Sequence, residues 1–252
     1  MSSLNLIESF EAKASACADD PALRTLLTEV ARELGFDHVA LLHHASLAGA
    51  GPGHIRLDTY PAGWEDELAV HGLVGADPVH QACLRTSIGF AWAELPALAE
   101  LGSQERQILE RARRFDIGDG FTVPANVPGE PAGSCSFAVR VGRSLPRKLL
   151  LCAEQIGAHA FHAARRIHGY LARRRPPHLS RRERQCVQLL AAGKSDWEMA
   201  KILGLSVETV HQYVKRARRA YDVVSRAQLV ACGLRDGLVT FNEAIPPDGG
   251  MG

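Results

Sequence analysis

Aromatic residues occupy only 6% of the 252 positions, and no apolar run approaches the ~20 residues that span a bilayer. A membrane-spanning helix is therefore not expected. The six cysteines (Cys17, Cys83, Cys135, Cys152, Cys186 and Cys232) are scattered without a C-x-x-C pair. That spacing argues against a zinc ribbon and for small reduced thiols in a cytoplasmic protein. The opening stretch "MSSLNLIESFEAKASACADD" carries acidic residues and no basic start before a long apolar segment, so it does not read as a signal peptide. The chain also lacks the glycine-flanked Ser or Cys of a nucleophile elbow, an H-E-x-x-H pair and a phosphate loop, so catalysis is not expected. His159 and His162 stand three apart without the Cys or carboxylate companions of a metal site, and no cofactor or metal is expected.

Net charge is nearly absent too, at +1, but the balance hides a division. Residues 1–172 hold 15 Lys+Arg against 20 Asp+Glu, net −5, whereas residues 173–241 hold 14 against 6, net +8. The basic third suits a polyanion; the acidic two-thirds has a different task. "RRRPPHLS" (173–180) separates them: its prolines end the preceding helix, and Ser180 with Glu183 forms a capping box that starts the next. The expected organisation is a domain over 1–172, a linker over 173–179, a second domain over 180–241 and a flexible Pro/Gly-rich tail over 242–252. The fold class is α+β with two domains, an N-terminal α/β/α sandwich around an antiparallel sheet and a C-terminal all-α four-helix helix-turn-helix domain.

In the basic domain four helices are expected, over 180–192, 196–203, 207–221 and 225–239. "SDWEMAKILGLSVETVHQYVKRARRAY" (195–221) fits a helix-turn-helix. Ala200 is small enough for a close helix crossing, Gly204 takes the positive φ of the turn, and Ser206 caps the second helix. That helix keeps Val210, Val214, Ala217 and Tyr221 on one side, and Glu208, His211, Gln212, Lys215, Arg218, Arg219 and Asp222 on the other. A polar, basic face of this kind fits the major groove of double-stranded DNA, where base edges are distinguishable. Thr209, Arg216, Arg218 and Arg219 are placed for phosphates, and Lys194, Trp197 and Arg226 stand on neighbouring elements.

In the acidic domain, helices are expected over about 4–17 and 21–34. "DHVALLHHA" and "HIRLDTY" read as strands paired around a glycine-rich turn, and "GFTVPANV", "GSCSFAVRV" and "RKLLLCAE" as three more. Short helices are expected near 62–70, 77–86 and 103–115, and one long helix over 154–175. Tyr60, Trp64, Asp77 and Trp92 offer an OH, an indole N–H, a carboxylate and a flat apolar wall, a set able to hold an amide between two carbonyls. By composition alone they also read as core residues.

Both halves resemble LuxR-type quorum-sensing transcriptional regulators. In the second half the resemblance rests on "LSRRERQCVQLLAAGKSDWEMAKILGLSVETV" and "VVSRAQLVACGL". In the first it rests on Tyr60 and Trp64 four apart, Asp77-Pro78 thirteen beyond, Trp92 fifteen beyond Asp77, and Gly120, Pro124 and Ser136 in register. The resemblance implies an autoinducer-binding domain with an acyl-homoserine lactone pocket. In it Trp64 donates to the lactone carbonyl, Asp77 accepts the amide N–H, Tyr60 and Ser136 hold the acyl carbonyl, and Trp92 packs on the lactone ring. Leu68 departs from the tyrosine usual at that position, which removes an aromatic wall and a hydroxyl near the acyl chain. In the DNA-binding domain the resemblance implies that His211, Gln212 and Lys215 face bases. It further implies a homodimer on a pseudo-palindromic promoter site, with RNA polymerase as a partner and no membrane. The alternative is a LuxR-type regulator answering a non-lactone signal, or acting without ligand. A phosphoryl-receiver front half is disfavoured, because "DHVALLHHASL" lacks acidic residues at a strand end.

Overall fold

The computed structural model describes residues 3–44, 54–71, 73–172 and 176–245. The expected turn at 45–53, residues 173–175 of the linker and residues 246–252 of the tail lie outside them. The chain divides into two compact units, Met1–Arg173 and Arg174–Gly252.

The first unit opens with helices α1 (Ser3–Ala16) and α2 (Asp20–Glu33), the second capped by Asp19, whose Oδ1 accepts from the Ala22 N–H at 2.9 Å. Strands β1 (His38–His43) and β2 (Arg56–Asp58) follow, then α3 (Trp64–Val70), α4 (Pro78–Cys83), β3 (Phe90–Ala91), α5 (Leu95–Leu98) and α6 (Ser103–Arg114). Strands β4 (Gly120–Ala125) and β5 (Gly133–Ala138) precede α7 (Leu150–Ile167). The sheet runs in the order β2-β1-β5-β4-β3 with every pairing antiparallel.

Period-two alternation explains why β5 is buried along its whole length. Cys135 and Phe137 face one layer, where Leu23, Leu27, Ile156 and Ala160 of α2 and α7 complete the main core. Ala138 faces the other layer with Trp64, Ile108 and Ala112 of α3 and α6. Gly157 lets α7 lie close on the sheet, since a Cβ there would come within 3.0 Å of Val123 and 3.2 Å of Cys135.

Two expectations are corrected here. "RKLLLCAE" is not a strand: residues 147–149 form a 3₁₀ turn, and Leu150 begins α7. Cys152, Ala153, Ile156, Gly157 and Ala160 continue the run at helical spacing, and Leu151 of the apolar triplet is left 79% exposed. The long helix accordingly starts earlier than 154 and stops at Ile167, where Gly169 at φ 73 breaks it before a 3₁₀ turn at Tyr170–Ala172. Ile156, Ala160 and Ala163 of this helix are buried within its own unit.

The second unit contains α8 (Arg181–Ala191), α9 (Asp196–Leu203), α10 (Val207–Tyr221), α11 (Arg226–Arg235) and a short α12 (Phe241–Ala244). Its boundaries follow from local chemistry. Ser180 with Glu183, Ser195 with Glu198, and Ser225 with Gln228 form capping boxes, and Ser206 accepts from the Thr209 N–H at 3.1 Å. Gly193, Gly204 and Gly237 stop helices at φ 76, 64 and 67, so α11 ends at Arg235 rather than at 239. Val187, Met199, Val210, Val214, Ala217 and Leu229 form the core, and Ala244 of α12 packs on it.

Candidate functional site

The first unit encloses a cavity of about 390 Å³ between the sheet and helices α3, α4 and α6. That volume suits a drug-sized molecule. Tyr60, Trp64, Leu68, Asp77, Trp92 and Ser136, the six residues singled out in the sequence, all line it. Each arrives by a separate local device. Gly63 at φ 86 turns the chain so that Trp64 opens α3. Asp77 caps α4, its Oδ1 accepting from the Val79 N–H at 2.9 Å, with Pro78 at the first helical position. Trp92 leaves β3 in a 3₁₀ turn, and its Nε1–H donates to Thr122 Oγ1 at 2.9 Å. Thr122 and Ser136 are cross-strand partners whose hydroxyls lie 2.8 Å apart. Gly120 makes room for the indole, since a Cβ there would stand 2.4 Å from Trp92 Cε2.

The polar groups are arranged asymmetrically. Among the described residues neither the Tyr60 OH nor the Trp64 indole N–H has a hydrogen-bond partner. Burial, reinforced by the Asp77 and Asp58 carboxylates, pushes the Tyr60 phenol upward, so it remains a protonated donor. Asp77 supplies the acceptor, with Oδ2 at 3.6 Å from His80 Nε2. His80 stacks on His44 at 3.9 Å and 15°, and His44 Nε2 meets Ser134 Oγ at 2.9 Å. Burial, then the neighbouring His80 and His43, hold His44 well below the usual histidine range and therefore neutral. Two open donors beside one carboxylate, in a mostly apolar hollow, match a small molecule bearing an amide and carbonyls.

Sequence reasoning passed over Thr122, His54, Arg56 and His80. His80 was legible as the third residue after Asp77 on α4. The place of Thr122 depends on pairing across the sheet, and no local signal marks it.

In the second unit, His211 on α10 is half exposed, and its Nδ1 lies 3.6 Å from Asp196 Oδ2. The same Asp196 oxygen accepts from Arg226 Nη2 at 2.6 Å. Gln212 Nε2 donates to Glu208 Oε1 at 2.8 Å, Lys194 Nζ lies 3.8 Å from Glu198, and the Thr209 hydroxyl joins the cap at 2.7 Å from Ser206 Oγ. Lys215, Arg216 and Arg219 have no ion-pair or hydrogen-bond partner among the described residues, and Arg216 lies over the Tyr213 ring at 5.9 Å. Arg218 is differently engaged: Nη1 donates to Val224 O at 2.7 Å, and its Nε is buried without a partner among the described residues. Trp197 is exposed on α9, with Lys201 Nζ 5.6 Å from its ring. The exposed side of α10 is thus a cationic face backed by an apolar one. Among the described residues no helix is long and apolar enough to cross a membrane.

Comparison with known proteins places both units. Residues 19–167 match the family "Autoinducer binding domain", and residues 177–232 match "Bacterial regulatory proteins, luxR family". The chain is 28% identical over 187 residues to the transcriptional activator protein BjaR1 of Bradyrhizobium diazoefficiens, covering 71% of this chain and 74% of that one. It is 26% identical over 180 residues to the HTH-type transcriptional regulator y4qH of Sinorhizobium fredii, covering 71% of this chain but 55% of that longer protein. The fold is similar to the crystal structure of Escherichia coli SdiA, with a TM-score of 0.65 and 19% identity over 93% of this chain and 98% of that one.

Proposed function

The chain belongs to the autoinducer-binding, LuxR-type family of transcriptional regulators, and from that premise we propose that an acyl-homoserine lactone-like signal occupies the cavity and governs binding, as a homodimer, to a pseudo-palindromic promoter site. The observation that carries the reading is the meeting of Asp77 with the open donors of Tyr60 and Trp64 around one hollow. Asp77 accepts the amide N–H, Trp64 donates to the lactone carbonyl, Tyr60 and Ser136 hold the acyl carbonyl, and Trp92 covers the lactone ring. Lys215 and its neighbours on α10 enter the major groove, while Arg216 and Arg219 meet phosphates.

The switch is thermodynamic. A signal buried in the first unit stabilises the folded form by mass action. Pairing of two chains then adds the second half-site through effective concentration. Two-fold symmetry sets the recognition helices about one DNA turn apart, which calls for a palindromic site. The protein acts in the cytoplasm, where promoter and RNA polymerase are.

The test is titration of the full chain with N-acyl-homoserine lactones of graded chain length, followed by thermal unfolding, size exclusion and DNA binding. A lactone that raises the melting temperature, the dimer fraction and promoter affinity together supports the proposal. Asp77→Asn, which replaces a charged acceptor, should weaken binding about ten- to a hundredfold. A full lactone series that moves none of the three overturns it. The second reading, a non-lactone signal, is favoured by Leu68, an aliphatic side chain lining the cavity where the family resemblance implies a tyrosine. Mass spectrometry of small molecules carried by the purified protein separates the two.

A further inference from the structure

The cavity has a second polar pole, and the strand register locates it. On the cavity face Ala40 stands between Asp58 and Ser136, and Leu42 between Arg56 and Ser134. One row further out lie His44, whose N–H donates to Ala132 O, and His54. At about 3.3 Å per residue these two rows lie roughly 7 and 13 Å beyond Ser136. His54 and Arg56 line the cavity there. His80 reaches the same region from α4: it also lines the cavity, and its ring stacks on His44 while its Nε2 faces Asp77. A tail that runs from Asp77 along β1 therefore passes Leu42 and Val79 and meets imidazoles and a guanidinium.

The donors and charges at this pole are specific. Among the described residues neither ring nitrogen of His54 has a hydrogen-bond partner. Arg56 uses Nε toward Asp58 at 3.1 Å and Nη1 toward Glu65 at 2.7 Å, so its positive charge is already matched by two carboxylates. Burial lowers His54, which keeps it neutral near pH 7. Arg56 therefore brings no unmatched charge to this pole. An alkyl end would cover these nitrogens and displace their water without replacing its hydrogen bonds, at a cost for each group left unpaired.

We infer that His54, Arg56 and His80 form a subsite for a neutral hydrogen-bonding group, a hydroxyl or a carbonyl, carried toward the end of the signal's tail. This specificity rests on the lactone reading given above.

The test compares N-octanoyl- and N-decanoyl-homoserine lactone with their terminally hydroxylated counterparts, by calorimetric titration of the full chain. The hydroxylated member of at least one pair should bind about five- to tenfold more tightly. In the double variant His54→Leu, His80→Leu that preference should fall below about twofold, with the alkyl compound gaining. Equal or tighter binding of the alkyl compounds by the unaltered chain overturns the subsite, independently of how the variant folds. So does a double variant that keeps the preference. Binding of none of the four overturns the lactone reading and the subsite with it.

Discussion

Replacing Gly120 by alanine places a Cβ 2.4 Å from Trp92 Cε2, 2.6 Å from Cζ2 and 2.7 Å from Cδ2. The obstacle is the body of a fused ring rather than the far end of a flexible chain. That ring is held by its Nε1–H bond to Thr122, a residue fully buried in the sheet. The indole must swing outward or the strand must move. Overpacking of this kind costs about 1–3 kcal/mol, and loss of the Trp92–Thr122 hydrogen bond adds about 1 kcal/mol. A loss near 3 kcal/mol lowers the melting transition of a unit this size by roughly 6–12 °C. Tryptophan emission during a thermal scan reads it directly, because Trp64 and Trp92 both belong to this unit. The control is Gly75→Ala, where an added Cβ meets nothing within 4 Å. Through the unfolded chain alone it should be neutral or stabilising by up to about 1 kcal/mol. If Gly120→Ala melts with Gly75→Ala, the close approach of Trp92 to β4 does not hold the cavity wall, and the reasoning fails.

Other substitutions separate roles on the basic face and in the cores. Lys215→Ala should weaken binding to the specific site by roughly 1–3 kcal/mol with little effect on random DNA; equal loss on both assigns it to phosphate. Arg219→Ala should leave stability within about 0.5 kcal/mol and reduce the slope of log affinity against log salt by about 1. Arg218→Met should instead destabilise the second unit by about 1–2 kcal/mol, since it removes the bond to Val224 O, and urea unfolding checks this. Burial pushes the Cys83 thiol up to about 12 and the Cys186 thiol up to about 11, so iodoacetamide near pH 8 should label the half-buried Cys17 and Cys232 first. Early labelling of Cys83, followed by peptide mass spectrometry, would contradict the packing around α4.

The second unit was legible in the chain almost residue by residue because its signals are local. Ser180 with Glu183, Gly193, Gly204 and Ser206 each act within a few positions of themselves, so caps and stops could be read without knowing the fold. The first unit was harder for the same physical reason. Leu149–Leu151 is a short apolar run that fits strand and helix alike, and only its continuation through Gly157 onto Val123 and Cys135 decides for the helix. The two-residue β3 exists because Phe90 and Ala91 pair with Thr122 and Phe121; nothing in the residues themselves announces it.

The sequence by itself determined the division of charge, the helix-turn-helix, and the intervals among Tyr60, Trp64, Asp77, Trp92 and Ser136, because composition, capping and spacing are properties of neighbours along the chain. The tertiary structure alone decided that these five meet in one hollow. It also decided that Thr122 anchors Trp92, and that His54, Arg56 and His80 line the same hollow. Those contacts join residues up to dozens of positions apart, and their geometry is set by antiparallel register and by helices packing on a sheet.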